Sequence, residues 1–252
     1  MPLVDGVHID RFSEFGLIIE KDYTLNFVFQ LLQEDENCSN LIKILNPFWG
    51  KEIIHFDYNS VPCVILSAQS SPCAAIAVER LKRTGVKRIV GIGTTGSTDE
   101  SIKPGQFILA TAAVRDEGTS KGYLDLLVPA TAHLETILEL KSEFENFDVI
   151  PLLGTVYTTD QRYKEKPDIL RFLYCHANVL SIDMETASIL ITSMYHGISA
   201  GVIKIVTDCA VKETSSDFQG IFEVNENYSD WMESRLKIAL QVSLKTIKKC
   251  QN

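Results

Sequence analysis

Three short stretches of this chain carry residue types that bind or transform a polar ligand. The first, Gly91-Ile92-Gly93-Thr94-Thr95-Gly96-Ser97, follows the apolar Arg88-Ile89-Val90. Its glycines let a ligand approach the backbone, and its threonines offer hydroxyls and amides at a strand exit, so it can hold sugar hydroxyls or an anion. A tight turn explains the same residues. No Gly-Lys-Ser/Thr follows and the G-x-G-x-x-G spacing is absent, which excludes a Walker loop or dinucleotide fingerprint. The second stretch is Ile182-Asp183-Met184-Glu185-Thr186, where a β-rich run turns into a helical pattern. Carboxylates there can simply cap the helix. Alternatively one accepts both hydrogen bonds of a vicinal diol while the thioether packs on the sugar. In the third, Ile205-Val206-Thr207-Asp208-Cys209-Ala210, an acid ends an apolar strand, a position suited to proton transfer or to a structural turn.

Positioning these groups requires a scaffold. Short apolar runs alternate with helical patterns, the signature of a sheet with helices on its faces. Strands are predicted at 16–20, 53–57, 62–67, 87–93, 107–114, 149–156, 179–182 and 201–207. Ser71-Pro72, the apolar Ala74, Ala75, Val78 and Leu81, and Gly85 predict a helix with a cap, a first-turn proline and a glycine stop. Met232, Leu236, Leu240, Leu244 and Ile247 recur at helical spacing behind Ser229, predicting a long C-terminal helix. The expected fold is α/β: a large mixed central sheet, distorted toward a barrel and flanked by helices, in a single domain spanning residues 1–252.

Composition bounds the partners. The net charge of -9, without clustered Lys or Arg, argues against nucleic acid or an acidic membrane surface. Six scattered cysteines with no C-x-x-C pair suggest neither zinc nor a disulfide framework. No signal-peptide pattern or membrane-length apolar run is visible, so a cytoplasmic protein without metal or cofactor is expected.

Together and in this order, the segments resemble the nucleoside phosphorylase family, which includes purine nucleoside phosphorylase, uridine phosphorylase and the methylthioadenosine nucleosidases. The similarity covers nearly the whole chain. It is most specific from Ile92 through Lys103-Pro104-Gly105-Gln106 to Ala113-Val114-Arg115-Asp116-Glu117-Gly118-Thr119-Ser120, which looks like the family's phosphate-and-ribose loop and following strand. The resemblance implies ribose binding by Thr94, Met184 and Glu185, and protonation of a purine-type base by Asp208. It implies base contacts from Gly96, Tyr163 and Arg162, the last standing where the family stacks a phenylalanine. His8 matches a histidine that reaches a neighbouring subunit's ribose, implying a homodimer or trimer of dimers.

The phosphate site departs from the family. The Gly-Asp-Pro and arginine of the first site loop read Ile19-Glu20-Lys21-Asp22-Tyr23-Thr24-Leu25 here. The arginine before the Gly-Thr pair is Gly91, and the neighbour's arginine falls near His55. Each lost guanidinium removes charge-assisted bonds of about 1.5 to 3 kcal/mol apiece. The expectation is therefore cleavage of a nucleoside's N-glycosidic bond with water as acceptor, and resemblance to the family's nucleosidase branch, which activates water with a glutamate on the first site loop, implies Glu20 as base. One alternative is a phosphorylase whose anion site is rebuilt from Thr94, Thr95 and His55, with Lys21 or Lys51 in support. The other is a nucleoside-binding protein without catalysis.

Overall fold

The computed structural model describes residues 12–46, 51–162, 166–211 and 228–247, together with the backbone of 3–4 and 7–8. Two short strands, β1 (Leu3–Val4) and β2 (Val7–His8), pair with each other. The main sheet contains β3 (Phe15–Ile19), β4 (Cys38–Asn46), β5 (Lys51–Tyr58), β6 (Val61–Ser67), β7 (Arg88–Ser97), β8 (Phe107–Asp116), β10 (Leu152–Thr159), β11 (Val179–Asp183) and β12 (Ser199–Cys209). A two-residue strand, β9 (Ala130–Thr131), pairs with β8.

The order β11-β10-β8-β12-β7-β3-β6-β5-β4 is closed on one side, because β11 also pairs with β7. Strands β7, β12, β8, β10 and β11 thus form a small mixed barrel, and β3 to β6 extend the sheet from it. This is the distorted barrel-like α/β sheet the sequence predicts.

Among the described residues six α-helices cover the sheet: α1 (Leu25–Glu34), α2 (Ser71–Arg83), α3 (Leu134–Glu145), α4 (Pro167–Ala177), α5 (Thr186–Tyr195) and α6 (Tyr228–Lys245). They separate two apolar layers. Helices α1, α3 and α6 pack with Phe56, Phe107, Ile203 and Ile205 in one, and α2 and α5 pack with Ile18, Ile89 and Val202 in the other. Neighbours Ile203 and Val202 face opposite layers because successive side chains on a strand alternate. The predicted stripe Met232, Leu236, Leu240, Leu244 is buried along α6.

Three expectations change. The glycine-rich stretch after Val90 is not a loop, because β7 continues to Ser97 in parallel register with β12. Its glycines serve close packing instead: a methyl on Gly91 would meet Ile189 and Val202 at 3.0 and 3.3 Å. Strand β4, unpredicted, is an edge strand whose Ile42 and Leu45 are exposed, so its apolar residues do not report burial. Helix α2 has its proline in the first turn, and Gly85 takes the left-handed conformation (φ +94°) as expected. Its N-cap, however, is Ser70, which makes no side-chain cap bond.

Candidate functional site

One cavity lies over the C-terminal ends of β3, β7, β11 and β12, lined by Glu20, Lys21, Gln69, Thr94, Thr95, Gly96, Thr159, Arg162, Ile182 to Glu185, Thr207, Asp208 and Ala210. The three stretches singled out from the sequence converge here, though 87 and 113 residues separate hydrogen-bonded partners such as Thr95 with Ile182 and Ser71 with Met184.

Glu20 follows β3 directly and is buried. Its backbone N–H donates to the carbonyl of Ile92, which brings the side chain against β7. The carboxylate lies on the bare backbone of Gly93, where an added Cβ would fall 1.5 Å from Oε2. The N–H of Thr94 donates to Oε2 at 3.2 Å, and Nζ of Lys204 donates to Oε1. Lys204 stands in the middle of β12 between Ile203 and Ile205 with no exposure to solvent.

The same ammonium reaches Oδ2 of Asp183 at 2.5 Å and Oε2 of Glu185 at 3.8 Å. Here the two readings of the Asp-Met-Glu stretch divide between its acids. Asp183 caps α5: its Oδ2 accepts from the N–H and hydroxyl of Thr186 at 2.9 and 2.5 Å, and its Oδ1 accepts from Thr158 at 2.7 Å. Glu185 occupies the N-cap position without capping and turns its carboxylate into the cavity. The N–H of Ser70 donates to its Oε1 at 2.6 Å and that of Met184 to its Oε2 at 3.3 Å. Ser70 holds this N–H in place with φ +79° and ψ 155°, a region L residues rarely adopt. The hydroxyl of Ser71, expected to cap α2, donates to the carbonyl of Met184 instead.

Asp208 is aimed by an irregularity in β12. The parallel register with β7 slips between Val206 and Asp208, placing Asp208 opposite Gly96. Oδ1 of Asp208 lies 3.5 Å from where a Gly96 Cβ would be, so the missing side chain leaves room over the acid. The Thr207 hydroxyl donates to the same oxygen at 2.7 Å.

Electrostatics follows from burial. Desolvation raises the pKa of Glu20 well above the ordinary 4.5; Lys204 opposes this, while Glu185 and Asp183 reinforce it. Glu185 is raised for the same reason and with the same opposition. Burial pulls Lys204 down, but Asp183, Glu20 and Glu185 outweigh it and hold the ammonium above its ordinary value. One cation among three carboxylates leaves negative charge uncompensated, which favours the protonated forms of Glu20 and Glu185. Burial also raises Asp208 above 3.8, against the Thr207 hydroxyl and the charges of Arg162 and Lys21. The Glu20, Asp183 and Glu185 oxygens lie within 4.8 Å of one another, a spacing that suits a metal ion, but here Lys204 brings its ammonium to all three.

Of the residues predicted for the site, Glu20, Thr94, Thr95, Gly96, Arg162, Met184, Glu185 and Asp208 line the cavity. The Thr95 hydroxyl donates to the carbonyl of Ile182 at 2.7 Å and so serves the barrel closure. His55 is buried on β5, outside this cavity's lining, and Lys51 pairs with Asp22 at 3.1 Å. Tyr163 and the side chain of His8 lie outside the described residues. Lys204 and the Ser70 amide were not anticipated. A lone lysine inside Gly201-Val-Ile-Lys-Ile-Val was the available signal for the first, since a buried ammonium demands carboxylate partners.

Residues 30–243 match the family model described as the phosphorylase superfamily. A guanosine phosphorylase of Halorubrum lacusprofundi is 30% identical over 190 residues, 75% of this chain and 78% of that protein. A uridine phosphorylase of Thermococcus kodakarensis is 33% identical over 167 residues, 61% of this chain and 58% of the relative. The solved structure of a Vibrio fischeri uridine phosphorylase complexed with 6-hydroxy-1-naphthoic acid superposes with a TM-score of 0.78, at 23% identity, covering 95% of this chain and 93% of that one. Since the family model spans most of the chain and a guanosine phosphorylase is 30% identical over 75% of it, the protein belongs to the nucleoside phosphorylase family of the phosphorylase superfamily.

Proposed function

We propose that this enzyme cleaves the N-glycosidic bond of a nucleoside with a purine-type base and that water is the acceptor. The observation that carries the second half is the position of Glu20, whose carboxylate lies on Gly93 and accepts from the Thr94 amide, in the stretch that resembles the family's phosphate-binding loop.

In this reading Glu185 accepts the ribose diol and Met184 packs on the sugar. Asp208, whose hold on a proton burial strengthens, donates to the base as the C1′–N bond breaks and the bonding electrons leave with the base. A water oxygen bonds to C1′ and passes a proton to Glu20, whose raised proton affinity suits a base. The products are ribose and the neutral base, and solvent returns Asp208 and Glu20 to their starting states. Arg162, within electrostatic reach of Asp208, stacks on or donates to the base. The proposal includes a homo-oligomer in which His8 and His55 complete a neighbour's site. Loss of ribose affinity in His8→Ala at unchanged oligomer size checks the part assigned to His8.

A second reading, phosphorolysis at a rebuilt anion site, is favoured by the relatives, which are named phosphorylases. Product analysis in phosphate-free buffer and with phosphate added separates the two. Free ribose at an unchanged rate supports water; strict phosphate dependence with ribose 1-phosphate as product overturns it.

A further inference from the structure

We propose that Lys204 determines the acceptor by locking the Glu20 carboxylate into the cavity's anion-binding position, so that the protein carries its own anion where an inorganic one would otherwise bind. The position is built for negative charge. A backbone N–H at Thr94, an ammonium at Lys204 and the bare backbone of Gly93 converge on one point, and the Glu20 carboxylate occupies it. Amides and an ammonium meeting over a glycine are the usual donors to a tetrahedral oxyanion.

Lys204 has the reach and the rigidity for this task. It is wholly buried on β12, its ammonium is held by Asp183 at 2.5 Å, and it stays charged because three carboxylates face it. The cap of α5 therefore anchors the cation, and the cation anchors Glu20. Two consequences follow for the reaction. An incoming phosphate would have to displace a paired carboxylate and meet the negative charge of Glu20 and Glu185. A water molecule, being neutral, fits beside Glu20 and finds a base there. In this role Lys204 is a positioning residue, since it touches no reacting atom.

The inference deepens the water-acceptor reading and rests on it for its functional meaning, while phosphate binding tests it separately. Glu20→Ala leaves Lys204 with Asp183 and Glu185 as partners and opens the position. Isothermal titration with inorganic phosphate, with the folded state checked by circular dichroism, is the measurement. The expected result is no saturable phosphate binding by the wild type and binding at least about tenfold tighter by Glu20→Ala, the scale of one charge-assisted hydrogen bond. Added formate, a small carboxylate, should compete with that phosphate. The double variant Glu20→Ala/Lys204→Met, which removes a carboxylate along with the cation and so avoids three unpaired buried acids, should return phosphate binding to the wild-type level.

With nucleoside present, phosphate held in Glu20→Ala can attack C1′ through one oxygen. The base then leaves with the bond's electron pair and Asp208's proton, and ribose 1-phosphate appears in place of ribose. Phosphate binding in Glu20→Ala no tighter than in the wild type overturns the inference, as does equal binding by the single and double variants. A wild type that needs phosphate to release base would sink the water reading, and that result is obtained on the wild type alone.

Discussion

Asp208 and Glu20 divide the chemistry, and burial acts on both in the same direction. Because each pKa is raised, base release should follow a bell-shaped pH profile. The active form needs Glu20 deprotonated and Asp208 protonated, and burial moves both limbs to higher pH than the ordinary 4.5 and 3.8 would set. Replacing Asp208 with Asn keeps the Thr207 contact but removes the acid, and should lower kcat by about 10² to 10⁴ while leaving ribose affinity nearly unchanged. Steady-state kinetics across pH checks both statements; a flat alkaline limb would remove Asp208 from the proton transfer. Gly93 is as exacting as either acid. An alanine methyl there would overlap the Glu20 carboxylate, so Gly93→Ala should abolish phosphate-independent activity, whereas Gly122→Ala, with nothing within 4 Å, serves as the silent control. Asp208 and Glu185 were legible because an acid ending an apolar strand, or beginning a helix, is conspicuous. Lys204 was not, because its meaning depends on three acids that lie 19 or more positions away along the chain.

Among the elements, the junction between β6 and α2 shows strain placed beside function. Ser70 adopts φ +79° and ψ 155°, and its N–H donates to Glu185 across 115 positions of sequence. Glycine reaches this conformation without steric penalty. Relief of about 1 to 3 kcal/mol of strain, less about 0.4 to 1 kcal/mol for the added freedom of the unfolded chain, predicts that Ser70→Gly is stabilised by about 1 kcal/mol. Its ribose affinity should be preserved, because the amide remains. Denaturant unfolding together with KM measurements tests this, and a destabilised variant would mean that the Ser70 side chain contributes more than its backbone strain costs. The register slip in β12 is the corresponding device on the acid side: without it, strict alternation would place Thr207, not Asp208, across from Gly96.

For the molecule as a whole, the buried cluster makes stability depend on pH in a direction opposite to that of ordinary surface carboxylates. Folded Glu20 and Glu185 bind protons more tightly than in the unfolded chain, where they titrate near 4.5, so unfolding free energy falls as pH rises from there through the raised values. Lys204 acts in the same sense at higher pH: its raised pKa supplies stability that is present below 10.5 and is lost as pH rises above it. Glu20→Gln should therefore flatten the decline that begins above about pH 4.5, by no more than about 1.4 kcal/mol per pH unit. Chemical denaturation at a series of pH values measures it, and parallel wild-type and variant curves would refute it. The alternation of apolar runs with helical spacing was enough to establish an α/β sheet, the long C-terminal helix and the acids of the cavity, because burial periodicity and strand-end chemistry are local properties. Local pattern could not show that β7 continues through its glycines, that β11 returns to β7 and closes the barrel, or that Asp183 caps while its neighbour Glu185 faces the ligand space. Nor could it show Lys204 beneath the cavity floor. Each of these depends on which backbone lies alongside which, and a glycine or a buried lysine takes its role from the partner that fills the space next to it.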